Sequence, residues 1–223
     1  MNTHNPFTDQ PETWWDPGGP FWTLHAINPI RLKFINQHVS KNQIGLDIGC
    51  GGGILTEPLS KSHKMTGIDI DHSLINLAKN RPNTGHIQYI NGDPRTQINT
   101  HESFDFIVCL EVLEHVEDPE SMVTHISNLV KPGGLIIYST LNRNPISFLG
   151  SIIAAEYILN ILPKNTHQYD KFIKPSELTA WNLDNQCQLI DITGIHFNPI
   201  TRQFFTLNNT LINYIACFKK EAP

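Results

Sequence analysis

The chain has 223 residues, 39% hydrophobic and 17% charged, a balance that suits one globular domain and excludes a disordered or fibrous chain. Its formal charge of −5, with no run of Lys or Arg, excludes a nucleic-acid partner held through phosphates. The four cysteines form no C-x-x-C pair and read as reduced thiols of a cytoplasmic protein, and residues 1–13 lack the apolar stretch of a secretory signal.

In chain order, Trp14-Trp15-Asp16 and Gly18-Gly19-Pro20 read as a loop or short helix with aromatic anchors. Asn28-Pro29 is expected to start a helix, Asn as cap and Pro in the first turn, with Ile30, Phe34 and Ile35 following at helical spacing. Strand and helix then alternate. Strands are expected over 44–48, 65–70, 87–90, 104–110 and 135–139, and helices over 54–60, 73–79 and 119–130, with Lys131-Pro132-Gly133-Gly134 as a break before the fifth strand. The fourth strand is continuously apolar, as when helices cover both sheet faces. This alternation predicts a parallel α/β sheet with right-handed crossovers. The tail departs from it: a helix over 175–183 precedes strands over 189–193 and 211–218 with no helix between them. That predicts a terminal hairpin and one antiparallel strand at the sheet edge.

The strongest chemical signal is Leu46-Asp47-Ile48-Gly49-Cys50-Gly51-Gly52-Gly53, between the first strand and a helix. Glycines there let a ligand approach the backbone and the helix start. A nucleotide cofactor at the carboxyl ends of the strands is the natural reading. Gly49, Gly51 and Gly53 give G-x-G-x-G, and Ile54 stands where a dinucleotide fingerprint has its third glycine. Asp47, just before the turn, suits a cationic ligand such as the amino group of a methionine moiety. Asp69 ends the second strand, where an acid can accept ribose hydroxyls; that role is common to NAD and S-adenosylmethionine sites. Asp93 follows the third strand and is placed either against an adenine ring or in solvent.

Glu111, Glu114 and His115 leave the fourth strand as E-x-x-E-H. Three readings stand. The three side chains converge on a divalent cation (Mg²⁺, Mn²⁺ or Zn²⁺) that lowers a phenol's pKa; His115 is a general base without metal; or the group only secures the strand–helix corner.

Beyond these general features, residues 14–214 resemble the ubiquinone biosynthesis O-methyltransferases. The resemblance rests on Trp14-Trp15-Asp16, Ile27-Asn28-Pro29-Ile30-Arg31-Leu32, Ser139-Thr140-Leu141-Asn142-Arg143-Asn144, Ala155-Glu156-Tyr157-Ile158-Leu159, Lys171-Phe172-Ile173-Lys174-Pro175 and Thr193-Gly194-Ile195-His196-Phe197-Asn198-Pro199. It implies a Rossmann-like, seven-stranded class I methyltransferase sheet with helices on both faces. It implies S-adenosylmethionine contacts from Arg31, Gly49, Asp69 and Leu110, alongside Asp47, Gly51 and Asp93 of the reading above. It also implies a divalent metal, Mg or Zn, on Glu111, Glu114 and His115, and methylation of a polyprenyl catechol-type intermediate and of demethylubiquinol. The stretch before Trp14 is short for the family, and Asp16-Pro17-Gly18-Gly19-Pro20 replaces a more acidic linker.

The domain is expected to span 1–223, with an N-terminal lid over 1–40 and an apolar helical insertion over 144–174. The apolar run 146–162 is too short to span a bilayer and contains Glu156, so it is read either as a buried helix or as one that touches anionic lipid on the inner face of the cytoplasmic membrane, within a biosynthetic complex. The rival functions are methylation of another amphiphilic small molecule, NAD-dependent oxidation, and a non-catalytic membrane-associated module.

Overall fold

The computed structural model describes residues 13–82, 85–99, 103–145, 147 and 169–222. Most of the apolar insertion, with Glu156, Leu159 and His167, therefore lies outside the described residues. The elements in order are α1 (Trp22–His38), β1 (Ile44–Ile48), α2 (Thr56–Ser60), β2 (Lys64–Asp69), α3 (His72–Lys79), β3 (Gln88–Asn91), α4 (Pro94–Gln97) and β4 (Phe104–Leu110). A 3₁₀ turn (Leu113–His115) leads to α5 (Pro119–Leu129) and β5 (Val130–Leu141), and a second 3₁₀ turn (Tyr169–Lys171) follows. Then come α6 (Pro175–Asp184), β6 (Cys187–Asn198), β7 (Gln203–Leu207) and β8 (Asn213–Lys220).

Among the described residues, eight strands form one sheet in the order β3-β2-β1-β4-β5-β8-β6-β7. Pairing among β1 to β5 is parallel. β8 inserts antiparallel between β5 and β6, and β7 pairs antiparallel with β6 at the edge. The expected terminal hairpin is thus present with one strand more than the resemblance implied. β7 carries Phe204, Phe205 and Leu207 without regular alternation, so its pattern did not read as a half-buried strand.

Side chains of β4 alternate between two cores. Ile107 and Cys109 pack with α5 and α6 through Val123, Ile126 and Leu178. Phe106, Val108 and Leu110 pack with α1 to α3 through Phe34, Ile35, Leu59 and Ile75. Burial of each such aliphatic or aromatic side chain contributes roughly 1.5–3 kcal/mol, which fixes the strand register and hence the loops at the strand ends.

Two boundaries differ from the sequence reading. α1 starts at Trp22, and Pro29 lies inside it. Asn28 is not its cap; the buried Asn28 side chain donates to the Ile54 carbonyl at 2.8 Å, tying α1 to the glycine loop. The break at 131–134 is an irregularity within β5, where the register slips between Phe104↔Val130 and Phe106↔Leu135. α4, absent from the sequence reading, is one short turn capped by Asp93.

Candidate active site

Strand order reverses between β1 and β4, and a crevice outside the carboxyl ends of parallel strands at such a point is where α/β folds bind ligands. The loop after β1 contributes Gly49–Gly53. Its shape needs left-handed backbone: φ is +73° at Gly49 and +51° at Gly51. Gly49 and Cys50 both donate backbone N–H to the Ile68 carbonyl, at 2.8 and 3.1 Å, anchoring the bend to β2. Asp69, at the end of β2, accepts from Gly51 N–H and from Asp71 N–H, each at 2.8 Å. One carboxylate therefore organises the glycine bend and faces the place where a ribose is expected. Burial raises its pKa, opposed by those two backbone bonds.

Asp47 is buried beneath the bend and accepts from the Thr56 hydroxyl at 2.5 Å. Burial, reinforced by Asp69, pushes its pKa up to about 7 against the Thr56 bond and Arg31. A carboxyl poised there is readily ionised by an arriving cation. Asp93 is placed after β3 as expected, but its carboxylate caps α4 through Arg95 N–H and grips the Arg95 guanidinium at 2.5 Å. The commitment to Arg95 accounts for its depressed pKa.

Arg31 is only 8% exposed. Its Nη2 pairs with Glu111 Oε1 at 3.3 Å, and its buried Nε has no hydrogen-bond partner. A buried guanidinium with a donor to spare suits a carboxylate ligand. Leu110 is buried at the end of β4 beside this pair.

Glu111 adopts φ +56°, a conformation few non-glycine residues hold without compensation, and donates its N–H to the Ser139 carbonyl at 2.9 Å. Its Oε1 accepts from the Ser139 hydroxyl at 2.7 Å and from Asn213 Nδ2 at 3.1 Å. Burial pushes Glu111 up, but Arg31 and then the bonds from Ser139, Asn213 and Glu114 overcome it and leave the carboxyl below its ordinary range. Glu114 is buried at 5% exposure and accepts from the Thr140 hydroxyl at 3.0 Å. Burial, and then the charge of Glu111, push Glu114 well above the carboxylate range. The two form an acid–carboxylate pair in which Glu114 holds the proton and donates to ionised Glu111. His115 is exposed on the same 3₁₀ turn, within electrostatic range of Glu111 and Lys171.

Sequence reasoning thus located Glu111, Glu114 and His115 but not their orientation. Among the described residues no three His, Cys, Asp or Glu side chains are grouped to hold a metal ion. The expected three-ligand set is not assembled in this arrangement: Glu114 is turned inward to Thr140, and Glu111 already accepts from Arg31, Ser139 and Asn213. Asn213 and Thr56 carried no sequence signal; each is an isolated polar residue whose role appears only when the strands assemble. All four cysteines are free and buried, as expected of reduced thiols. A separate cavity of about 430 Å³ lies at the opposite end of the strands, lined by His38, Gln43, Lys131 and Lys219 among others, and holds none of these groups.

A methyltransferase-domain family model matches residues 25–192. Curated relatives in *Coxiella burnetii* (strain RSA 331 / Henzerling II) and *Methylococcus capsulatus* (strain Bath), both ubiquinone biosynthesis O-methyltransferases, are 44% and 40% identical to the chain. The first alignment covers 96% of this chain and 94% of the relative, the second 97% and 93%. The chain belongs to this family. In fold it also resembles a *Thermotoga maritima* S-adenosylmethionine-dependent methyltransferase, with TM-score 0.69 at 19% identity over 96% of this chain and 97% of that one. A *Synechocystis* magnesium protoporphyrin IX methyltransferase solved with bound S-adenosylhomocysteine gives TM-score 0.62 at 18% identity, covering 90% and 83%. Membership makes the chain an O-methyltransferase, and it removes the NAD-dependent oxidoreductase that Ile54 already disfavoured.

Proposed function

We propose that this O-methyltransferase uses S-adenosylmethionine to methylate the phenolic hydroxyl of polyprenylated ubiquinone precursors, a catechol-type intermediate and demethylubiquinol. The observation that carries the reading is the adjacency of two half-sites at one reversal of strand order: the Gly49–Gly53 bend held by Asp69, and Glu111 held by Arg31, Ser139 and Asn213. The cofactor supplies an electrophilic methyl on a sulfonium sulfur. Arg31 is assigned to its carboxylate, Asp47 and the Gly49–Gly51 backbone to the amino-acid end, Asp69 to the ribose and Leu110 to the adenosine side. Asp93, spent on Arg95, contributes only by shaping the loop.

Transfer forms an oxygen–carbon bond as the sulfur–carbon bond breaks, with the electron pair going to sulfur. The acceptor's proton must leave its oxygen. His115 is the base we assign: it is exposed, and desolvation against the turn together with Lys171 lowers its pKa, with Glu111 opposing. Most of the imidazole is then neutral near pH 7 and able to take a proton. Ionised Glu111 orients the acceptor hydroxyl and stabilises the imidazolium that forms. A metal on Glu111, Glu114 and His115 would need these three side chains to converge, and they are not grouped to do so in this arrangement.

The finer readings, contact with anionic lipid and membership of a biosynthetic complex, rest on the apolar insertion and on the family's lipid-tailed substrates. No described helix is long and apolar enough to cross a membrane. The deciding experiment supplies labelled S-adenosylmethionine and a short-tailed demethylubiquinol, with and without chelator. Label in the methoxy product supports the reading. Absence of product, with label appearing instead on another amphiphile, assigns the activity to that rival substrate.

A further inference from the structure

The glycine bend has an outer wall that neither Asp69 nor the strands provide. A Cβ added at Gly51 would stand 2.7 Å from Trp14 Cζ2, and one at Gly52 would stand 2.5 Å from Trp14 Cδ1. The indole of Trp14 therefore packs directly against the bend, buried with Phe21, Ile54 and Leu74. Trp15 adds a direct tie, its Nε1–H donating to the Gly52 carbonyl at 3.1 Å. The Arg81 guanidinium stacks on the Trp15 ring, 3.7 Å from the centroid. Arg81 in turn forks onto the Glu57 carboxylate through Nε and Nη2, at 3.1 and 3.2 Å. Glu57 opens α2, and its N–H donates to the Gly53 carbonyl at 2.9 Å. On the other side His25 Nε2 meets the Trp14 carbonyl at 2.9 Å, fastening the segment to α1.

The bend is thus closed in a ring: Trp15 to Gly52, Gly53 to Glu57, Glu57 to Arg81 and Arg81 back to Trp15. The residues after α3 and the segment before α1 both bear on the same three glycines.

We propose that Trp15 and Arg81 are positioning residues that hold the Gly51–Gly53 backbone in its cofactor-ready shape, so that docking of the 13–16 segment and cofactor binding are one linked event. This rests on the reading that the bend binds S-adenosylmethionine. Two glycines are then required by Trp14 rather than by the ligand, and the Trp-Trp pair belongs to the cofactor site although it touches only the loop's outer side.

The test uses Trp15→Phe, which keeps the ring but loses the donor, and Trp15→Leu, which also loses the cation–π face. Adenosylhomocysteine binding is followed by calorimetry, and donor KM and kcat are measured with the short-tailed demethylubiquinol. One lost hydrogen bond predicts a dissociation constant raised about 3-fold in Trp15→Phe. Adding the stacking loss predicts about 10-fold in Trp15→Leu. Donor KM should rise in parallel while kcat at saturating donor stays within about twofold, a split expected of lost binding alone. Arg81→Lys, which retains charge but not the planar stack, should fall between the two. A merely structural Trp15 would shift the melting temperature and leave affinity unchanged in the folded fraction. Wild-type affinity in either folded Trp15 variant overturns the proposal. Absence of heat with the unaltered protein overturns the cofactor reading and this inference with it.

Discussion

At the residue scale, the proton inventory of the site makes two sharp predictions. Asp47 binds a proton more tightly in the folded chain than in the unfolded one, about 7 against a model-peptide value of 3.8. The sign follows: the folded state is favoured by this group below the unfolded value, and that advantage is lost as pH rises through about 7. Asp47→Asn should flatten the stability profile between those limits, read from thermal melts across pH. The same group should couple to the ligand. If the methionine ammonium needs ionised Asp47, adenosylhomocysteine affinity rises by up to about tenfold per pH unit below 7 and levels off above it. Calorimetry in buffers of different ionisation enthalpy should detect a proton released on binding, and Asp47→Asn should abolish it.

The second prediction separates Glu111 from Glu114. Glu114 already behaves as a neutral acid bonded to Thr140, so Glu114→Gln preserves its charge state and much of its geometry. Turnover should change by no more than about threefold, since a hydrogen-bond donor replaces a donor. Glu111→Gln removes the charge that faces Arg31 and should lower turnover by about 100-fold or more, within the range expected for a lost acid–base or electrostatic partner. A metal held by both carboxylates would make the two losses comparable. Loss of activity in Glu114→Gln that added Mg²⁺ or Zn²⁺ restores is therefore the result that defeats the acid–carboxylate pair. The sequence made these residues conspicuous through their types and spacing. It was silent on which one holds the proton, because that is set by depth of burial and by the charge of Glu111 beside it, and both arise only when β4 and β5 pack together.

At the scale of elements, the alternation of apolar runs made β1 to β5 and their helices other than α4 legible, because a strand covered on both faces needs an unbroken apolar run and a helix needs its stripe. Boundaries were less legible wherever a tertiary contact overrode local preference. Pro29 reads as a helix start, yet α1 runs through it, with its buried face on Phe34 and Ile35 and Asn28 tied to Ile54. The glycine bend was legible as a ligand loop, but the reason for each glycine was not. A Cβ at Gly49 would meet Val112 Cγ2 at 2.2 Å in a backbone already at φ +73°. Gly49→Ala should therefore cost about 1–3 kcal/mol from the backbone alone, plus the clash, and should lower both melting temperature and adenosylhomocysteine affinity. In Gly49→Ala/Val112→Ala the clash is gone and the backbone strain remains. Part of the stability should return, and a double mutant no better than the single one would mean that Val112 gives way at no cost.

At the scale of the whole molecule, every group assigned to the reaction sits at the carboxyl edge of the parallel strands, and so does the turn between β6 and β7. Asn198 pairs with Gln203 at the end of that hairpin, leaving Ile200 at its tip, 93% exposed and next to Arg202. Arg202 lies over Trp22 of α1, so the hairpin is braced against the helix that carries Arg31. An isoprenoid tail is most easily delivered if the edge bearing the site faces the bilayer, and an isolated exposed isoleucine beside a cation suits an interfacial contact. With a net charge of −5 the chain gains nothing from anionic lipid except through such local features. The expectation is sedimentation with anionic liposomes that both Ile200→Glu and, in the insertion, Leu159→Glu weaken, each replacing an apolar side chain with a carboxylate. Both substitutions should leave methylation of a short-tailed acceptor in detergent-free buffer unchanged, because neither residue is assigned to the reaction. If the protein stays in the supernatant, or if both variants sediment like the parent, the edge bearing the site does not face lipid and the tail must be received in solution.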